Sequence, residues 1–172
     1  MKQIQCYLFL LFLFVAIPCP RGYSLPCGNI PEIPNTQIHD IAMATWYQGQ
    51  LPNGNFYTGP VIIFNPQVTS SVSYDLNAFF RTHEHSHICL GHVIPSWQNY
   101  SLPPVMSQSR ELETDAYAAR QLIKHNQINP VKAAFSRFLS QGQNMASPRH
   151  PPGFIRAQNI RNVAASMGVN IQ

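Results

Sequence analysis

Charge is scarce in this chain of 172 residues, which carries 11 lysines and arginines, seven acidic residues and a formal net charge of +4. Charged residues make up 10% of the sequence, well below the roughly 25% that is typical of soluble proteins. No basic run with interleaved aromatic residues is visible, so the sequence gives little support for nucleic-acid binding. No repeat or low-complexity tract is visible either, and the length fits one domain with a modest core.

The apolar run near the N-terminus is short. Residues 7–17 read YLFLLFLFVAI, whereas a transmembrane helix needs about 20 apolar residues. The run follows the cation Lys2, and the small residues Gly22 and Ser24 precede a plausible cleavage point. This pattern predicts a signal peptide over residues 1–24 and a secreted or periplasmic protein with no stable membrane span after cleavage. An uncleaved N-terminal anchor is the alternative.

The most informative residues read HEHSH and occupy positions 83–87. Positions four apart share one face of a helix, so His83 and His87 can bind the same metal ion. Glu84 lies beside that ion, where it can reach a water molecule on it. Two nitrogen ligands, an open coordination position and a carboxylate are the parts of a hydrolytic zinc site. The alternative is a helix with partly buried histidines that are satisfied by hydrogen bonds.

A second cluster, ELETD at positions 111–115, holds three of the seven acidic residues. It is expected near the start of a helix that Ser107 or Ser109 caps. Glu111 and Asp115 are four apart and share a face, so one can be the third zinc ligand and the other can hold a ligand imidazole by its far nitrogen. Glu113 points roughly the other way. The alternative is an acidic first turn that faces solvent and complements the helix dipole.

Together the two clusters resemble the gluzincin metallopeptidases, particularly the HtpX-like and CAAX-prenyl-protease-like family, in which H-E-x-x-H is followed by E-x-x-x-D on a second helix. The resemblance covers about residues 61–165. It implies Glu111 as the third zinc ligand and Asp115 as the residue that supports a ligand histidine. The chain lacks the transmembrane helices of the membrane members, and small regulator proteases of the ImmA/IrrE type share the first two motifs.

A third segment is similar to the family pattern T-H-P-x-x-x-x-R-I. His150, Pro151 and Arg156 match it, whereas Arg149 and Ala157 stand where the family has Thr and Ile. The resemblance implies that His150 or Arg156 stabilises the oxyanion of the reaction. Two structural roles stay open: His150 can belong to the N-terminal turn of a helix, and Arg156 can pair with an acidic residue behind the site.

Two cysteines remain after the predicted leader, Cys27 and Cys89. In an oxidising compartment they are expected to form one disulfide, the alternative being two free, buried thiols. Cys89 lies two residues, about 200°, beyond His87 on the helix and so faces away from the expected metal. His92 follows His87 by five residues, one short of the metzincin spacing, and is interpreted as a helix-end residue and not as a ligand.

The sequence thus predicts an α+β fold over residues 25–172, a minimal gluzincin-like domain in which a small sheet lies beside the two zinc-bearing helices. The predicted function is a secreted zinc-dependent endopeptidase that acts on a protein or peptide, with Glu84 as general base. A non-catalytic, zinc-stabilised binding or inhibitory module and a membrane-anchored quality-control protease are the alternatives. The expected strands cover residues 41–48 and 56–65, and the expected helices run from 69–73 to 91, from 111 to 125, from 129 onward and over 152–167.

Overall fold

The computed structural model describes residues 27–95, 102–143 and 147–172. The predicted signal peptide lies outside the described residues. Within them, no helix is long and apolar enough to cross a membrane. Strands and helices together confirm the α+β class. The elements are β1 (Glu32–Pro34), β2 (Ala42–Gln50), β3 (Phe56–Phe64), α1 (Pro66–Ser71), α2 (Tyr74–Cys89), α3 (Pro104–Lys124), α4 (Ile128–Gln141) and α5 (Gly153–Ser166).

The strands form one sheet in the order β1-β3-β2. β2 and β3 are an antiparallel hairpin whose register runs from Ala42 opposite Phe64 to Gln50 opposite Phe56. Its turn contains Gly54 at φ +87°, a backbone conformation that favours glycine. β1 pairs in parallel with β3 and is not one of the two strands expected from the sequence. β3 is the central strand, and its residues Val61 and Ile62 are completely buried, whereas β2 lies at an edge of the sheet.

A separate short helix, α1, precedes α2. Asn65 caps α1, its side-chain oxygen accepting the Gln67 N–H at 2.9 Å, and Ser73 caps α2 by accepting the Leu76 N–H at 3.2 Å. Two caps eight residues apart divide what the sequence predicted as one helix start, since each satisfies the free N–H groups of its own first turn. After α2, Gly91 at φ +71° turns the chain.

α3 begins earlier than the predicted caps Ser107 and Ser109. Its first residue is Pro104, and no acidic residue lies in its first turn. Proline suits this position because its ring presets the helical φ and its missing N–H would have had no partner there. Glu111 and Asp115 therefore lie well inside the helix and are buried. The alternative interpretation, a solvated acidic first turn, is wrong.

The main core lies among α2, α3, α4 and α5. Its largest members are at most 1% exposed, and full burial of such a side chain stabilises the fold by about 1.5–3 kcal/mol. Alanines on α3 let the helices approach closely. The packing of this core therefore fixes the rotation of α3 against α2. That rotation determines which carboxylates of α3 contact the histidines of α2. The large buried side chains are Phe79, Leu122, Val131, Phe138, Ile160 and Ile171.

Candidate metal centre

Three side chains from two helices converge at the interface of α2 and α3. His83 Nε2 lies 3.1 Å from His87 Nε2. Glu111 approaches both rings, with Oε2 at 3.4 Å from His83 Nε2 and Oε1 at 3.2 Å from His87 Nε2. The three can offer one ligand atom each to a shared ion. The structure thus brings the predicted ligands together.

The spacing of these atoms fits zinc. Zinc bonds to nitrogen and carboxylate oxygen are about 2.0–2.1 Å long, so two ligand atoms of a tetrahedral site lie about 3.3–3.4 Å apart. The two nitrogens are 3.1 Å apart, and each lies near one oxygen of Glu111, Oε1 at 3.2 Å from His87 and Oε2 at 3.4 Å from His83, which is close to that edge length. Two imidazoles and one carboxylate are also a ligand set of catalytic zinc, which leaves the fourth position for water or substrate. Both the donor types and their distances therefore fit the ion.

His83 is held from behind by a buried ion pair. Its Nδ1 lies 2.9 Å from Asp115 Oδ1, although the ring makes no well-aligned hydrogen bond there. The Arg156 guanidinium donates two hydrogen bonds to Asp115, both at 2.7 Å. Asp115 is fully buried and Arg156 is 7% exposed. This bidentate pairing fixes the carboxylate that faces the ligand ring.

Charge interactions among His83, Glu111 and Asp115 shift the pKa values of all three residues. Burial alone would lower the pKa of His83, but the close, negatively charged carboxylates of Asp115 and Glu111 raise it to about 10. Burial alone would raise the pKa of Glu111, yet the two histidines hold it well below its usual range. Burial alone would also raise the pKa of Asp115, but the charges of Arg156 and His83 lower it. In the metal-free protein His83 is therefore an imidazolium between two carboxylates, and a metal ion must displace its proton.

His87 has different partners. Its Nδ1 lies 3.1 Å from His92 Nδ1 and 3.3 Å from Thr114 Oγ1. His92 Nε2 lies in turn 3.4 Å from Glu113 Oε2. Burial and the nearby charges of His87 and Arg110 lower the pKa of His92 to about 4, so its ring is neutral. Neither Thr114 nor His92 was expected next to a ligand, and the turn at Gly91 brings His92 back.

Glu84 lies between the site and the sheet. Its Oε2 accepts the backbone N–H of Ala44, on β2, at 2.6 Å. Burial raises the pKa of the Glu84 carboxyl, and the charges of His83 and His87 oppose that rise only in part. A raised pKa makes a carboxylate a better proton acceptor near neutral pH. The bond to Ala44 also ties the strand next to the site to the helix that carries the ligands.

His150 and Arg156, from the third motif, occupy different depths. The His150 ring is 46% exposed, and its Nε2 lies 3.7 Å from Glu111 Oε2. Arg156 is enclosed by Asp115 and by the Phe138 ring, whose centroid lies 4.0 Å from the guanidinium carbon. The structural role left open for Arg156 is confirmed, because it pairs with an acidic residue behind the site. His150 stands at the rim of the site.

The opposite face of α2 carries no predicted ligand. Cys89 forms a disulfide with Cys27, which confirms the pairing expected from the sequence. His85 Nε2 lies 3.6 Å from Glu32 Oε1, and Arg81 also pairs with Glu32. These contacts fasten β1 and the N-terminal segment to the back of the helix. The disulfide is typical of oxidising compartments.

Comparisons with known proteins leave the family open. No protein-family model, no curated protein and no solved structure matches this chain. The gluzincin resemblance therefore depends on the three motifs alone, and the function must be argued from the geometry of the site.

Proposed function

We propose that this chain is a secreted, zinc-dependent endopeptidase with a gluzincin-like site, in which His83, His87 and Glu111 bind the ion. The observation that carries the proposal is that two imidazole nitrogens 3.1 Å apart each lie within 3.4 Å of an oxygen of the Glu111 carboxylate, separations near the edge length of a zinc tetrahedron. A buried carboxylate behind His83 supports it, since ligand histidines usually donate their second N–H to such a group. The disulfide supports export.

The residues around the ion have separate roles in hydrolysis. Zinc bound here would lower the pKa of a water molecule and polarise the scissile carbonyl. Glu84, next to a ligand and with a raised pKa, takes the proton of the attacking water and passes it to the leaving amine. The Ala44 N–H fixes the orientation of its carboxylate.

The two residues of the third motif have different roles, one toward the substrate and one in positioning the site. His150, half exposed at the rim, is the side chain we assign to oxyanion stabilisation. Arg156 is assigned to positioning, because its guanidinium is buried and already donates to Asp115. Loss of Arg156 would therefore act on the zinc site through Asp115 and through Glu111, whose Oε2 lies 3.5 Å from the guanidinium, and not through the substrate.

One contact favours the second candidate, a zinc-stabilised binding or inhibitory module. Glu84 has a structural partner in Ala44, so its presence is explained even where no peptide is cleaved. The two candidates differ in whether the carboxylate moves a proton. A variant that keeps the shape of Glu84 but removes its basicity separates them.

The experiment compares wild-type protein with Glu84→Gln, after zinc analysis, on casein and a peptide library. Wild type should bind one zinc ion and cleave peptides, lose activity with a chelator and recover it with zinc. Glu84→Gln should keep zinc and lose most hydrolysis, by about 10²–10⁴-fold. Asp75→Asn, an acid-to-amide change in the first turn of the same helix, is the matched control and should keep activity.

Two outcomes count against the proposal. A wild-type protein without zinc would reject the metal site. A zinc-loaded protein that cleaves nothing in a broad library, but binds one partner tightly, would favour the binding module. The mass of the mature N-terminus distinguishes the secreted enzyme from the membrane-anchored protease, because an anchor would retain residues 1–24.

A further inference from the structure

We propose that His92 is a positioning residue that fixes the proton of His87 on Nδ1 and so keeps Nε2 available for the metal. This inference rests on the proposed function, since it takes His87 as a zinc ligand. The starting observation is the contact between two like atoms, His87 Nδ1 and His92 Nδ1, at 3.1 Å. Nitrogen atoms this close need one proton between them.

Metal binding decides which ring holds that proton. A neutral imidazole that gives Nε2 to a metal carries its hydrogen on Nδ1. His87 is therefore the donor, and Nδ1 of His92 must be the bare acceptor. His92 then carries its own hydrogen on Nε2, which faces the Glu113 carboxylate at 3.4 Å. The two contacts of His92 thus require the same tautomer.

Thr114 braces this arrangement. Its hydroxyl donates to the Arg110 carbonyl at 2.7 Å, so its oxygen can only accept from the rings, and of the two Nδ1 atoms only that of His87 carries a hydrogen to donate. It lies 3.3 Å from Nδ1 of His87 and 3.3 Å from Nδ1 of His92. Thr114 is fully buried, and the His92 backbone N–H donates to the His87 carbonyl at 2.8 Å. Thr114 is thus a second acceptor for the hydrogen on Nδ1 of His87, and the backbone bond keeps His92 beside that ring.

The same geometry excludes His92 as a fourth ligand of this ion. His92 contacts Nδ1 of His87, whereas Nε2 of His87 faces His83 and Glu111. Nδ1 and Nε2 point to different sides of the ring, so a residue at one cannot share a metal ion with the other. His92 acts on the metal through His87, and Glu113 acts through His92.

The first test measures zinc affinity of the full chain by competition with a chromophoric chelator. His92→Leu keeps an apolar body of similar size and removes the acceptor; it should weaken zinc binding by about 10–100-fold. His92→Asn is the rescue, because its side-chain oxygen can accept near the position of Nδ1, and it should stay close to wild type. Cobalt substituted for zinc should show a shifted absorption band in His92→Leu only.

The second test reads the protons directly in wild-type protein loaded with zinc. Nitrogen-15 NMR of the rings should show His87 protonated at Nδ1 and His92 protonated at Nε2. A scalar coupling across the hydrogen bond between the two Nδ1 atoms is expected. This measurement needs no variant, so it stands even where His92→Leu does not fold.

Three results would overturn the inference. One is a proton on Nδ1 of His92 in the zinc-loaded protein. Another is a His92→Leu variant with lower thermal stability but unchanged zinc affinity and cobalt spectrum, which would make His92 a packing residue. In both, wild type still binds zinc, so the proposed function survives. A wild type that binds no zinc would instead reject both proposals.

Discussion

The two histidines of the candidate metal site, His83 and His87, differ in the residues that contact their second ring nitrogen. His83 faces a carboxylate that is fully buried and paired with a buried arginine from α5. His87 faces a neutral ring and a hydroxyl, and its network ends at Glu113, whose side chain is 59% exposed. Glu111 contacts both rings.

This difference separates two ways of supporting a metal ligand. On the His83 side, the supporting charges also hold helices together, so a change there should affect folding and metal binding at once. On the His87 side, the chain of contacts reaches solvent, so its outer member can be altered with little effect on the core. Four predictions test this contrast, from the largest expected effect on zinc binding to the smallest.

Glu111→Ala should abolish zinc binding, because it removes the carboxylate that contacts both His83 and His87. Zinc analysis after gel filtration measures this directly. Glu113→Ala, two residues along α3, is the control and should retain the ion, with a much smaller loss of affinity. A larger loss from Glu113→Ala than from Glu111→Ala would show that the assignment of the third ligand is wrong.

Asp115→Asn should weaken zinc affinity by about 10–100-fold through His83. It should also destabilise the metal-free fold by about 3–5 kcal/mol, since Arg156 keeps a buried charge without its partner. Zinc competition and urea unfolding in a chelator measure the two effects. His92→Asn, on the His87 side of the site, should change neither the zinc affinity nor the free energy of unfolding by much. Loss of affinity with unchanged stability would mean that the two halves do not differ.

Zinc affinity should rise with pH, by at most about tenfold per unit, between neutral pH and pH 9. The sign follows from the pKa of His83, which its carboxylate partners raise to about 10 in the metal-free protein. Below that pKa the ion must displace a proton, and the competition weakens as the pH rises. Calorimetry in buffers of different ionisation enthalpy should detect about one released proton. An affinity independent of pH would contradict a protonated His83.

Removal of the disulfide should leave zinc affinity nearly unchanged, because Cys89 is on the opposite face of α2 from the ligands. The double variant Cys27→Ser/Cys89→Ser should instead lower the free energy of unfolding by about 4 kcal/mol in the chain-entropy model, for a sequence separation of 62. Urea unfolding and zinc competition give the two values. A large loss of zinc with little loss of stability would place the bridge within the metal site.

Much of the candidate site follows from short-range pattern. H-E-x-x-H and E-x-x-x-D each place two residues on one face of a helix, and the structure keeps both pairs together. The elements around them were harder to predict. The separate α1 depends on two side-chain caps, whereas α3 begins at Pro104 without one. The pairing of β1 depends on a strand thirty residues away.

The contacts of His87 with His92 and Thr114 were not predicted from the sequence, for a related reason. His92 was correctly expected to be no ligand, yet its contact with His87 needs the turn at Gly91 and the rotation of α3 that brings Thr114 inward. The partner of Arg156 was likewise left open, because 41 residues separate it from Asp115. Contacts across such distances depend on packing that no local spacing describes.

The sequence by itself determined which side chains could share a helical face, since the period of a helix depends only on the backbone and is the same in any fold. It also determined the donor chemistry, two imidazoles and a carboxylate. Only the tertiary structure decided that Glu111 meets both histidines while Asp115 meets one of them. That choice is set by the rotation of α3 against α2, and a close-packed core of phenylalanine, leucine and alanine side chains fixes that rotation.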